Sequence, residues 1–227
     1  MPVILITGAN RGIGLELTRQ YAAEGWAVIA TCRRPEEAAD LRNIAGKVRI
    51  EPLDVTLADQ VQALKQSLGG QPIDLLVNNA GLYGPRLVPY DRIDYGVWEE
   101  VLRANTLAPL RVSAALADNV ARSRRKLIVA ISSSMGSIGD NRAGGSYIYR
   151  SSKAALNAAM KSLAIDLRTL GITVTVLDPG WVRTDMGGPQ ARVGVVESAK
   201  GLRAVIAELG PASSGRFFNY EGRELPW

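Results

Sequence analysis

The chain has 227 residues, 47% hydrophobic and 22% charged, with 27 Lys and Arg against 22 Asp and Glu, one cysteine and no histidine. It can bury one sizeable α/β core and is neither disordered nor fibrous, yet lacking histidine it cannot run Ser-His-Asp or Cys-His catalysis, and with Cys32 alone it offers no metal site. No apolar run has membrane length, the N-terminus has no secretory pattern and a single cysteine suits a reducing compartment, so the sequence predicts a cytoplasmic protein whose proton chemistry uses Tyr, Lys, Asp or Glu.

Val3 to Thr7 is a short β-branched run of the kind found in strands covered on both faces. Thr7-Gly8-Ala9-Asn10-Arg11-Gly12-Ile13-Gly14 follows, then a helical pattern through Leu15, Leu17, Tyr21 and Ala22 to Gly25. Strand, glycine turn and helix in that order make a dinucleotide-phosphate site, because the glycines let backbone approach the pyrophosphate and the helix start offers free N–H groups. The second strand, Trp26 to Thr31, ends in Cys32-Arg33-Arg34-Pro35, where NAD sites usually carry an acid for the ribose 2′-hydroxyl. Arg33, with Arg11 from the glycine loop, can instead pair with a 2′-phosphate. That predicts NADP(H) in preference to NAD(H).

Pro35 to Leu41 reads as a helix and Val48 to Ile50 as the third strand, with Asp54-Val55-Thr56 opening a helix from Leu57 to Leu68. Ile73 to Val77 is the fourth strand. It closes on Asn78-Asn79-Ala80-Gly81, an Asn pair able to bond neighbouring backbone and fix the floor of a cofactor cleft. Beyond an irregular stretch, Leu82 to Asp94, one long helix is expected from Tyr95 to Asn119, with Asn105 inside it as a polar residue able to interrupt the ladder. The basic run Arg122-Ser123-Arg124-Arg125-Lys126 has no interleaved aromatics and precedes the fifth strand, Leu127 to Ile131, so a solvated turn is expected; the net charge of +5 then implies no nucleic-acid partner.

Ser132-Ser133-Ser134-Met135-Gly136 comes next, and a proline-free helical pattern then runs from Tyr149 to Leu170, with Gly171 just past its end. Tyr149 and Lys153 are four apart and so share a helix face. A cation beside a phenol favours phenolate, which brings a tyrosine toward acid–base work near neutrality. Ile172 to Leu177 is the sixth strand, ending in Asp178-Pro179-Gly180-Trp181-Val182-Arg183-Thr184; a helix over Val195 to Leu209 and a seventh strand, Arg216 to Tyr220, complete the chain. Strands alternating with helices predict an α/β fold: a single doubly wound, Rossmann-like domain over 1–227, with a mainly parallel seven-stranded sheet and helices on both faces. Ligands bind beyond the strand C-termini of such sheets, and every polar motif above lies at such an end.

These motifs resemble those of the short-chain dehydrogenases/reductases along essentially the whole chain. Gly8, Asn10, Arg11, Gly12, Ile13 and Gly14 stand in the TGxxxGxG cofactor loop, Asn78 to Gly81 match NNAG, and Tyr149 with Lys153 match YxxxK. Pro179, Gly180, Val182 and Thr184 fall in a segment similar to the one that holds the nicotinamide amide, and Asp54 with Val55 match the pair at the adenine ring. The resemblance implies that Tyr149 is the general acid, that Lys153 lowers its pKa and bonds the nicotinamide ribose, that Ser133 bonds the substrate oxygen, and that Asn105 holds a water on a proton relay.

Ser133 to Tyr149 spans 16 positions, a few more than the family usually shows, and Ile138 to Ser146 takes up the excess. Tyr147, six before Lys153, is set aside as the catalytic phenol because it would point elsewhere on a helix. The Gly180-to-Gly188 loop and short tail resemble the C-factor and sniffer-like carbonyl reductases within the family. The resemblance thus implies an NADP(H)-dependent oxidoreductase on a small carbonyl or alcohol substrate, as a homodimer or homotetramer. The alternative is an NADP(H)-binding signalling protein of C-factor type with little turnover.

Overall fold

The computed structural model describes residues 1–227. Seven strands, β1 (Val3–Thr7), β2 (Ala27–Cys32), β3 (Val48–Pro52), β4 (Leu75–Asn78), β5 (Leu127–Ile131), β6 (Thr173–Asp178) and β7 (Phe217–Asn219), form one sheet in the order β3-β2-β1-β4-β5-β6-β7. Every neighbouring pair is parallel. The helices are α1 (Gly12–Ala23), α2 (Ala39–Arg42), α3 (Ala58–Leu68), α4 (Tyr95–Leu102), α5 (Ala108–Ala121), α6 (Tyr147–Asp166) and α7 (Val195–Glu208).

The short apolar strands are explained by double coverage. Along β1, Leu5 enters a core cluster shared with Val61 and Leu64 of α3, Leu116 of α5 and Leu156 of α6. Its neighbours Ile4 and Ile6 enter the opposite cluster, with Leu17 and Tyr21 of α1 and Leu202 and Ile206 of α7. Alternate side chains face opposite layers, so a strand buried on both sides needs apolar residues throughout. The strand order reverses between β1 and β4, and the crevice for a ligand opens there.

Three elements differ from expectation. The helix over Pro35 to Leu41 is a 3₁₀ turn, Pro35–Glu37, followed by α2, because Ala38 (φ −91°, ψ 59°) leaves helical space between them. The helix carrying Tyr149 begins at Tyr147, after Gly144 and Gly145 at positive φ, and its last turn, Leu167–Leu170, is 3₁₀. The long helix from Tyr95 is broken by a π segment, Arg103–Leu107, with α5 continuing beyond it.

The cause of that break is Pro109. It has no N–H to give to the carbonyl of Asn105 four residues back, and its ring clashes with an α-helical carbonyl at that place. The basic turn is partly structural. Arg125 donates to the carbonyls of Ile206 and Ala207 at the end of α7, and Lys126 to that of Leu170, where cations complement the carbonyl end of a helix. No helix is long and apolar enough to cross a membrane.

Candidate active site

The cleft floor is stitched at the switch in strand order. Thr7 Oγ1, at the end of β1, accepts the N–H groups of Asn79 (3.0 Å) and Ala80 (3.1 Å), while Asn79 Nδ2 donates to the carbonyls of Thr7 (2.9 Å) and Gly8 (3.0 Å). Gly8 sits at φ 65°, where a Cβ would stand 2.9 Å from Ala80 Cα, so only glycine lets the turn lie against the NNAG segment. Asn78 is buried and donates to Ser113 Oγ (2.9 Å), but its Oδ1 has no partner. Gly12 begins α1 at φ 55°, and a Cβ there would meet the Thr184 methyl at 3.3 Å. The glycine turn and the Pro179-to-Thr184 segment therefore face each other across the cleft. Ser198 Oγ anchors that segment by donating to the Pro179 carbonyl (2.7 Å), and Val182 is buried beneath it.

These residues fit a dinucleotide. Arg11 at the N-cap of α1 makes no side-chain cap, and the first turn (Gly12, Ile13, Gly14) carries no acid, so its N–H groups are free of any competing carboxylate. Asn10 is exposed beside them. At the β2 end Arg33 is exposed and makes no side-chain hydrogen bond or ion pair, whereas Arg34 is bound to Glu37 (2.6 Å). Arg11 is paired with Asp185 (3.2 Å) across the cleft, but both side chains are mostly exposed, so that pair is weak. Asp54 fixes its own turn by accepting from the Thr56 N–H and hydroxyl through Oδ1, and Val55 packs on the core beside it.

The three serines after β5 are sorted by their partners. Ser132 Oγ donates to the buried Asn157 Oδ1 (2.6 Å), and Ser134 acts on Asp178, lowering its pKa. Ser133 is the serine of the three whose hydroxyl lies close enough to the Tyr149 phenol to lower its pKa. Tyr149 is 8% exposed and Tyr147 44%, so α6 turns the first inward and leaves the second at the surface. Lys153 is buried, with Nζ donating to the Ile131 carbonyl (2.8 Å) and lying 5.8 Å from the Tyr149 ring centroid. Asn105, fully buried, accepts from the Leu82 N–H (2.7 Å) and donates to the Leu82 carbonyl (2.7 Å) and Ser152 Oγ (2.9 Å). Both amide protons are thus taken. A water could be held only by Oδ1 or by the backbone carbonyl that Pro109 leaves without its α-helical donor.

The electrostatics correct one expectation. Burial pushes the Tyr149 phenol up rather than down, with the nearby Ser133 hydroxyl and the Arg86 charge opposing. Burial also pushes Lys153 down to about 8, against the pull of Asp178. A lysine half neutral near pH 8 is a weak field for a phenol beyond hydrogen-bond reach.

Asp178, Tyr83 and Arg86 were not singled out as site residues by sequence. Asp178 is buried at the end of β6 and its Oδ1 accepts from the Gly180 N–H (3.3 Å); burial raises its pKa. An acid at a strand C-terminus of a doubly wound sheet was the available signal. Tyr83 stacks on Tyr149 with centroids 4.3 Å apart, and Arg86 caps Tyr83. Only their position just after the NNAG segment hinted at this.

The short chain dehydrogenase family model matches residues 2–192. The C-signal of Myxococcus xanthus is 44% identical over 156 residues, covering 69% of this chain and 93% of that protein. Among solved structures, the carbonyl reductase Sniffer of D. melanogaster superposes with a TM-score of 0.94 at 34% identity, over the whole of both chains. The NADPH-bound carbonyl reductase from chicken fatty liver does so with a TM-score of 0.92 at 35% identity, also over the whole of both.

Proposed function

The chain belongs to the short-chain dehydrogenase family, and from that premise we propose that it is an NADP(H)-dependent carbonyl reductase, one domain over 1–227, acting on a small ketone or aldehyde. One observation carries this: α6 buries Tyr149 and Lys153 together, with Ser133 on the turn after β5 acting on the phenol, in the crevice where the glycine turn faces the Pro179-to-Thr184 segment.

When bound, the nicotinamide supplies hydride to the carbonyl carbon. Tyr149 gives its proton to the carbonyl oxygen, and Ser133 donates a hydrogen bond to that oxygen as charge develops on it. A phenol pushed up by burial keeps its proton at neutral pH and is loaded as the acid for reduction. Lys153, pushed down to about 8, can exchange protons close to neutrality, and Asn105 lies next to it, both beside Gly81. Lys153 would hold the nicotinamide ribose, whose hydroxyl could then bridge it to Tyr149, and Asn105 would continue the proton path inward from Lys153. Arg33, with no protein partner, supports NADP(H) over NAD(H) through its free guanidinium, and so does the NADPH held by the chicken relative.

The 44% identity to C-signal favours a second reading, an NADP(H)-binding signalling protein with little turnover. Titration with NADPH and NADH, followed by the fluorescence of the four tryptophans, beside an assay on ketones, aldehydes and quinones, separates the two. The reductase requires tight NADPH binding with turnover. Binding without turnover across the panel leaves the signalling protein, and no binding of either nucleotide defeats both.

A further inference from the structure

The chain builds a second aromatic layer on the Tyr149 phenol. The Tyr83 ring lies 4.3 Å from it at an interplanar angle of 19°, and the Arg86 guanidinium sits 4.4 Å above the Tyr83 centroid. The Tyr83 hydroxyl meets Met135 Sδ (3.7 Å) on the turn that also carries Ser133, whose hydroxyl acts on the Tyr149 phenol. A thioether is a weak acceptor. The Tyr83 proton is therefore available to a better one, next to the place where a carbonyl oxygen would be protonated.

Arg86 adds a charge that the fold does not neutralise. Its one hydrogen bond goes to the Met186 carbonyl, which ties the loop after β4 to the loop after β6. Neighbouring Asp185 is engaged by Arg11. Arg150, next to Tyr149 on α6, likewise bonds only carbonyls, those of Gly144 and Met135. Neither guanidinium is paired with a carboxylate.

We propose that Tyr83 and Arg86 are specificity-determining residues that select an oxo acid, a ketone or aldehyde whose carboxylate lies one or two carbons from the reacting carbonyl. The inference rests on the reductase reading and extends it to a substrate class. With the carbonyl oxygen at Tyr149 and Ser133, a carboxylate displaced by the 4.3 Å spacing of the stack reaches the Tyr83 hydroxyl and the edge of Arg86. That displacement corresponds to two or three carbon–carbon bonds of ~1.5 Å each. A phenol and a guanidinium together give a carboxylate charge-assisted hydrogen bonds that a neutral ester cannot match.

The test compares 3-benzoylpropionate with its methyl ester as substrates of the NADPH-loaded protein, for the wild type, Arg86→Met, Arg86→Lys and Tyr83→Phe. Calorimetric titration of the same two compounds into the NADP⁺-saturated protein runs beside it. The wild type should favour the acid in kcat/KM about tenfold or more at low salt. That ratio should collapse in Arg86→Met, fall partway in Arg86→Lys, and fall in Tyr83→Phe although the stack is kept, while NADPH affinity is unmoved in all three. Equal kcat/KM for acid and ester in the wild type, or a ratio unaltered in Arg86→Met, overturns the proposal. If neither compound is turned over, the reductase reading is what fails. Calorimetry then decides this proposal by itself: acid-selective binding lost in Arg86→Met upholds it, and binding blind to the carboxylate overturns it.

Discussion

Single side chains in the cleft have separable duties. Tyr149→Phe keeps the stack with Tyr83 and removes only the hydroxyl that Ser133 acts on. Turnover should drop by at least ~10²-fold, the usual worth of a positioned acid, with NADPH affinity within a few-fold of wild type; activity retained in this variant removes Tyr149 from the acid role. Arg33 makes no contact with the rest of the fold's charges, so Arg33→Ala should weaken NADPH roughly tenfold or more, as loss of a charge-assisted pair does, and leave NADH nearly unchanged. Parallel losses of both would mean that the arginine does not meet a 2′-phosphate. Asp178 is faced by Lys153 and Tyr149 from α6, by Ser134 from the serine turn and by Tyr220 from beyond β7. Its charge holds the Lys153 ammonium up and the phenolate back, so Asp178→Asn should move the alkaline limb of the reduction profile to lower pH. An unmoved limb would make Asp178 a hydrogen-bond acceptor only. The places of Tyr149, Lys153 and Arg33 in the fold were legible from their spacing or strand-end position. Asp178, Tyr83 and Arg86 were not, because what they do depends on which loops meet over α6, and no local pattern records that.

At the level of elements, the strands were legible to within a residue or two since each is a short apolar run covered on both faces, as Leu5 and Ile6 show by entering opposite clusters. The break in the helix from Tyr95 was half legible. Asn105 drew notice as a polar residue in a helix, but the residue that enforces the break is Pro109, whose effect lands one turn earlier. The π segment is locked from α6 as well, by Thr106 Oγ1 donating to the Ser152 carbonyl (2.9 Å) and Asn105 Nδ2 to Ser152 Oγ (2.9 Å). Pro109→Ala gives the Asn105 carbonyl back an α-helical donor and lets the segment relax toward a regular helix, which rotates Asn105 away from Lys153. Turnover should fall about tenfold or more while the thermal midpoint stays level or rises, because a helix gains from Pro to Ala. A fall in midpoint with unchanged turnover would show that the break serves packing and has no part in the proton path.

Across the whole molecule, buried titratable groups set how stability responds to pH in the protein free of nucleotide. Burial pushes Lys153 down to about 8, so its contribution is fully present above the unfolded value of ~10.4 and is lost as pH falls through 8. Stability therefore rises with pH through that window. Burial pushes Tyr21 up to about 12, and raises Tyr149 and Cys32 as well. Their contributions are present below the unfolded values, ~10 for the tyrosines and ~8.5 for the thiol, and are lost above them. Self-repulsion adds to the first trend, because the net charge of +5 at pH 7 shrinks toward the pI of about 9.5. The denaturation midpoint should climb between pH 7 and about 9 and turn over above it, the reverse of the common optimum between ~5 and 8. Lys153→Met isolates the lysine. Relative to that variant the wild type should gain about 1 kcal/mol between pH 7 and 9, since each pKa unit is worth ~1.36 kcal/mol. A difference that stays flat across this range would mean that the Lys153 ammonium keeps its charge in the fold. It could not then exchange protons near neutrality, and the proton path through Asn105 would lose its middle member.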